Sequence, residues 1–198
     1  MILEIDTPHG LARVHVYPAE PTVGALVLGH GAGGGVEAPD LVAAAKAAGS
    51  AGLTVALMEQ PYRVAGRRSP APANQLDAAW SAVVSELRDG RLGGVELLMT
   101  GGRSAGARVA CRTAADTRST AVLCLAFPLH PPGRPEKSRL EELDAVGVPT
   151  LVVQGENDPF GRPPEGPNRT VTLVPGTHSL RNGAAVAAAV SNWLSTLE

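Results

Sequence analysis

The stretch VELLMTGGRSAGARVACRTAA, residues 95–115, decides the fold. Val95 to Thr100 is an apolar run that reads as a buried strand. Ser104 to Ala115 has the composition of a helix. Between them, Gly102-Arg103-Ser104-Ala105-Gly106 matches G-x-S-x-G in its required context, with a strand before and a helix after. A serine at so tight a turn takes strained backbone angles, so the residues two positions either side must be minimal. Its hydroxyl is then exposed at the sheet edge. The helix N-terminus behind it offers free N–H groups and the positive end of a dipole.

Outward from this turn, strand-like and helix-like segments alternate. On the N-terminal side, Ile2 to Ile5 and Leu11 to Tyr17 alternate apolar and polar residues around Pro8, His9 and Gly10, the pattern of an antiparallel hairpin. Ala25 to Leu28 and Leu53 to Met58 are short apolar strands, with the Ala-rich helix Leu41 to Ala48 between them. A loop, EQPYRVAGRRSPAP, precedes an amphipathic helix from Asn74 to Arg88, with Leu76, Trp80, Val83, Val84 and Leu87 at helical spacing. On the C-terminal side, Ala121 to Ala126, Thr150 to Val153 and Thr170 to Val174 are strands. Ser138 to Ala145 and Ala184 to Leu197 are helices. Continuous apolar strands separated by helices predict a mostly parallel, twisted sheet covered on both faces, an α/β architecture. Right-handed crossovers then bring every parallel strand's C-terminal end to one edge.

Composition excludes several classes. The chain has 198 residues, 44% hydrophobic and 18% charged, a globular balance that predicts one domain over residues 1–198. Its formal net charge of −2 shows no basic excess for nucleic acid or an anionic membrane. No apolar run approaches ~18 residues, so no membrane helix is expected. The start, MILEIDTPHG, lacks the pattern of a signal peptide. Cys111 and Cys124 make a poor disulfide framework and no metal pattern. A cytoplasmic chain without metal or cofactor is the expectation.

Two further strand ends carry chemistry. Gly29-His30-Gly31-Ala32-Gly33-Gly34-Gly35 follows the third strand and lacks the lysine of a phosphate-binding loop. His30 is expected to brace this loop. After TLVVQG comes Glu156-Asn157-Asp158, with Asp158 as first choice for an acid and Glu156 as the alternative. After VTLVPG comes Thr177-His178-Ser179, where His178 is the only histidine beyond His130. A serine, an acid and a histidine thus each follow a predicted parallel strand, in the order Ser, acid, His.

HGAGGG, PYRVAGRRSP, GGRSAGARVA, FPLHPPGRPEK, QGENDPFG and THSL, in that order, resemble the α/β-hydrolase superfamily, in its small dienelactone-hydrolase-like branch. The resemblance implies the α/β-hydrolase fold, with Ser104 as nucleophile, Asp158 as acid and His178 as base. It also implies an oxyanion hole from the Ala105 N–H and that of Ala32, with Gly33 as second choice. The substrate would be a small-molecule ester or thioester. One departure stands out: dienelactone hydrolases carry a cysteine nucleophile, and this chain has Ser104.

Arg68 and His130, on two loops near the expected site, and Arg103, beside the serine, are candidates to hold an anionic substrate group. Most arginines of these loops are expected to be solvated or paired. The strands and helices use nearly all the residues, leaving none for a cap domain, so the site should be open. An acyl transferase using the same serine and a non-catalytic scaffold are the alternative readings.

Overall fold

A computed structural model describes residues 1–197; Glu198, the last residue of the expected domain, lies outside them. Eight strands form one sheet: β1 (Ile2–Thr7), β2 (Gly10–Tyr17), β3 (Gly24–Gly29), β4 (Leu53–Glu59), β5 (Leu98–Arg103), β6 (Ala121–Leu125), β7 (Thr150–Gly155) and β8 (Arg169–Val174). Their order is β1-β2-β4-β3-β5-β6-β7-β8. The six from β3 to β8 are mutually parallel, and the β1–β2 hairpin joins antiparallel at β4. Every residue of β3, β6 and β7 is buried, as a sheet covered on both faces requires. In β2 only Ala12, Val14 and Val16 are buried, so the hairpin has one core face.

Two helical layers provide the cover. Helices α1 (Pro39–Ser50) and α6 (Gly183–Leu194) pack with Leu26, Leu28, Met99, Leu123 and Leu151 on one face. Across the sheet, α3 (Ala73–Asp89) lays Leu76, Trp80, Val83, Val84 and Leu87 on Val14, Val27 and Met58. Beside it, α4 (Ala105–Thr113) and α5 (Leu140–Asp144) close over Val122, Cys124 and Val152. Arg112 of α4 pairs with Asp77 of α3 at 2.6 Å and with Glu142 of α5 at 3.4 Å, tying these three helices together. Cys111 and Cys124 are free and buried, as core thiols. No helix of the described residues is long and apolar enough to cross a membrane.

Three details differ from the pattern expected of the sequence. The fifth strand starts at Leu98, not Val95, and runs on through Gly101, Gly102 and Arg103. Gly101 belongs in the strand because a Cβ there would lie 2.9 Å from the Leu123 Cβ; its lack of a side chain lets β5 and β6 approach. The proline-rich loop after β4 contains a short helix, α2 (Pro61–Val64), which starts with its proline at the first helical position. The closing helix stops at Leu194 rather than Leu197. Between β6 and β7, residues 126–149 hold only α5, so no cap domain is inserted there.

Main chain also packs closely on main chain where α4 crosses the end of β3. A Cβ on Gly106 would collide with the Gly29 carbonyl oxygen and lie 2.6 Å from its carbon and 2.8 Å from the His30 oxygen. Main chain cannot yield as a flexible side chain does. Gly106→Ala is therefore expected to destabilise by about 2–3 kcal/mol. Thermal unfolding should register this as a loss of roughly 5–10 °C in Tm.

Candidate active site

Ser104 sits between β5 and α4 with φ 52° and ψ −109°, a left-handed conformation that costs a non-glycine residue about 1–3 kcal/mol. The surrounding main chain holds it there. Its N–H donates to the Leu125 oxygen at 2.9 Å. A Cβ on Gly102 would lie 2.6 Å from the Gly29 oxygen and 2.7 Å from the Gly106 carbon, so only glycine allows the turn. The strain lifts the hydroxyl off the sheet edge toward the loop after β8.

That loop delivers His178, whose Nε2 lies 2.9 Å from the Ser104 Oγ. Its Nδ1 lies 2.8 Å from Oδ2 of Asp158, on the loop after β7. A carboxylate only accepts, so the network assigns the proton to Nδ1 and leaves Nε2 to accept from the serine. Leu180 is fully buried in the α1–α6 core and anchors the His178 turn. The Phe160 ring lies against the imidazole, centroids 4.1 Å apart and planes 30° apart. Asp158 is buried, and its other oxygen accepts the Phe160 N–H at 2.8 Å. Gln154, fully buried at the end of β7, shares the two N–H groups of its Nε2 among Asp158 Oδ2 at 2.8 Å, Gly161 O at 2.8 Å and Phe127 O at 3.0 Å. One amide thus orients the carboxylate and ties its loop to the one after β6.

The loop after β3 faces the serine from the other side. His30 braces it, as expected: Nδ1 donates to the Gly31 oxygen at 2.7 Å, and Nε2 accepts the Gln60 N–H at 3.0 Å. The Tyr62 hydroxyl of α2 donates to the Ala32 oxygen at 2.9 Å. The Ala32 and Ala105 amides donate to no acceptor among the described residues. Beyond them, Gly33 and Gly34 face open space, with nothing within 4 Å of where a Cβ would stand.

A family model described as an alpha/beta hydrolase domain matches residues 22–181. The chain belongs to this family. No curated protein matches it significantly in sequence. Among solved structures it is similar to XC6422 from Xanthomonas campestris, described as an α/β serine hydrolase without lid, at 22% identity and TM-score 0.79, covering 100% of this chain and 94% of that one. Est1E from Butyrivibrio proteoclasticus, solved with ferulic acid, shares 17% identity at TM-score 0.80 over 98% of each chain. A dienelactone hydrolase from Anabaena variabilis shares 17% identity at TM-score 0.76, covering 99% of this chain and 96% of that one. At these identities the likeness is one of fold.

The remaining candidates from the sequence lie elsewhere or do other work. Glu156 is exposed, and among the described residues no hydrogen bond or ion pair joins it to His178; Asp158 is bonded to that ring. Arg68 is exposed on a recess it shares with Tyr62, Arg67, Pro70 and Gln75, and no hydrogen bond or ion pair joins it to Ser104 among the described residues. His130 bonds the Pro131 oxygen at 2.9 Å through Nδ1 and packs on Gly161, bracing the Asp158 loop. The Arg103 guanidinium, a candidate for holding substrate, is engaged within the fold by Asp40 and the His178 main chain. Sequence pattern does not single out Gln154, Phe160, Tyr62 or Asp40. A polar Gln closing the apolar run TLVVQG is the one visible signal among them.

These supports can be tested singly. Replacing Gln154 by Leu strips Asp158 of a buried donor at nearly constant volume. Turnover of any substrate processed through Ser104 should fall about tenfold or more, read from kcat. His30 concerns stability. Burial pushes its pKa below 6.5, with the Arg63 charge adding to the effect and the Gly31 hydrogen bond opposing it. The folded state thus resists protonation that the unfolded state accepts. This contribution is fully present above the unfolded value and is lost as pH falls through the folded pKa. Tm measured from about pH 7.5 down to 5 should decline, and His30→Asn should flatten that decline.

Proposed function

We propose that the chain is a serine hydrolase acting on small carboxylic esters or thioesters, with Ser104, His178 and Asp158 as its catalytic triad. The observation that carries this reading is the relay of two short contacts, Ser104 Oγ to His178 Nε2 at 2.9 Å and His178 Nδ1 to Asp158 Oδ2 at 2.8 Å. His178 takes the Ser104 proton as Oγ forms a bond to the acyl carbon. The carbonyl oxygen gains the electron pair and is held by the Ala32 and Ala105 amides. Collapse of this intermediate breaks the bond to the leaving alkoxide or thiolate, which receives the proton from His178. Water then attacks the acyl-enzyme by the same route, and Ser104 recovers its proton. Asp158 keeps the imidazole in the required tautomer throughout.

Support comes also from the family and from structural neighbours described as serine hydrolases and esterases. Residues 1–198 act as one domain on this reading. The unjoined thiols of Cys111 and Cys124, 3.4 Å apart, suit a reducing cytoplasm. Without a cap, the site takes short acyl groups from open solvent. Ser104→Ala should lower hydrolysis of p-nitrophenyl acetate at least about a thousandfold and abolish labelling by a fluorophosphonate probe. Undiminished turnover in that variant overturns the proposal.

A further inference from the structure

Arg103 precedes the serine but points elsewhere. Strand alternation sends Met99 and Arg103 to the α1–α6 face of β5, and Met99 packs in that core. A charged group there needs a partner, and Asp40 in the first turn of α1 supplies it. Arg103 Nε lies 2.8 Å from Asp40 Oδ2, an ion-pair contact rather than a well-aligned hydrogen bond. The Asp40 side chain is 0% exposed and that of Arg103 only 18%. The other carboxylate oxygen accepts the Leu41 N–H at 3.0 Å, anchoring the pair to the helix. Burial pushes the Asp40 carboxyl up, and the Arg103 charge opposes that rise. The free end of the guanidinium then reaches across the sheet edge. Nη2 donates to the main-chain oxygen of His178 at 3.1 Å. Gly31 makes room for it, since a Cβ there would lie 2.9 Å from Nη1.

We propose that Arg103 is a positioning residue that fixes the main chain of His178 relative to Ser104, with Asp40 holding its guanidinium in place. This rests on the triad reading above. The strand residue carrying the nucleophile forward thereby also sets the place of the base. The loop of His178 lies between β8 and α6, and its own turn is closed by one main-chain hydrogen bond, Leu180 N–H to Thr177 O at 3.2 Å, and a long contact of the Thr177 and Ser179 hydroxyls at 3.4 Å. A second tether to a rigid strand removes freedom that turn retains. Lysine cannot replace arginine here: a single ammonium lacks the planar fork that spans a carboxylate and a carbonyl at once.

The test compares Arg103→Ala, Arg103→Lys and Asp40→Asn with the wild type. It measures kcat and KM on p-nitrophenyl acetate, the rate of fluorophosphonate labelling of Ser104, and Tm. A displaced base predicts a kcat about ten- to a hundredfold lower, KM within about twofold of wild type, and a labelling rate falling in parallel with kcat. Arg103→Lys should show the same loss. Added guanidinium should restore part of the activity of Arg103→Ala and none of that of Ser104→Ala. Asp40→Asn keeps the acceptor for Leu41 and gives a milder loss of kcat in a folded protein, so the outcome does not hang on Arg103→Ala folding. A rise in KM alone makes Arg103 a substrate ligand and overturns the proposal. A lower Tm with unchanged kcat makes it structural only and overturns the proposal as well. If the wild type itself is neither labelled nor active, the triad reading fails first; a labelled wild type with fully active Arg103 variants overturns the positioning role alone.

Discussion

Main chain touching main chain at Gly29, Gly102 and Gly106 is the constraint on which the site depends. The end of β3 and the start of α4 approach so closely that a methyl group on either Gly102 or Gly106 would enter the Gly29 backbone. This contact holds Ser104 at φ 52° against its own preference. It also sets β3 directly beside the elbow, so the glycine-rich loop leaves the sheet within reach of the serine. A strained serine and a glycine-rich loop facing it are two consequences of one close approach.

The other half of the site is built from side chains, because it lies on loops after β7 and β8. Loops do not hold a side chain unless something buried does so. Gln154 is that buried element for Asp158: a strand residue, fixed by β7, whose amide reaches the carboxylate and two carbonyls of the surrounding loops. Phe160 presses on the imidazole from the same loop, so the carboxylate and one wall of the His178 ring are carried together. His30 and Tyr62 do the same on the opposite side, joining the loop after β3 to the one after β4. Each loop at the site is thus pinned by a side chain from a neighbouring element.

The elements are legible in the sequence because strands buried on both faces are written as unbroken apolar runs, and helices such as α3 as apolar residues at helical spacing. The Ser, Asp and His are legible because each directly follows such a run. What escapes is longer in range. The start of β5 escapes because Val95 is apolar yet lies before the strand, while the flat Gly101 looks like turn and is strand. Arg103 looks like a ligand for substrate because it stands beside Ser104; its partner is Asp40, on a helix far earlier in the chain. Partnerships of that kind belong to the fold and leave no mark in local pattern.

Ser104 and His178 illustrate two ways of holding a group still. The serine is fixed by its backbone, at the cost of strain, and needs no side-chain support. The histidine sits on a turn that no strand or helix includes, and it is gripped at three points. Asp158 holds the ring nitrogen, Phe160 flanks the ring face, and Arg103 holds the main chain. Two of these grips come from the loop after β7 and one from β5, so they approach from different elements. An imidazole held by Asp158 alone could pivot about that single hydrogen bond. Restraint at the main chain removes the pivot, and the strand that supplies it is the one that already positions the serine hydroxyl.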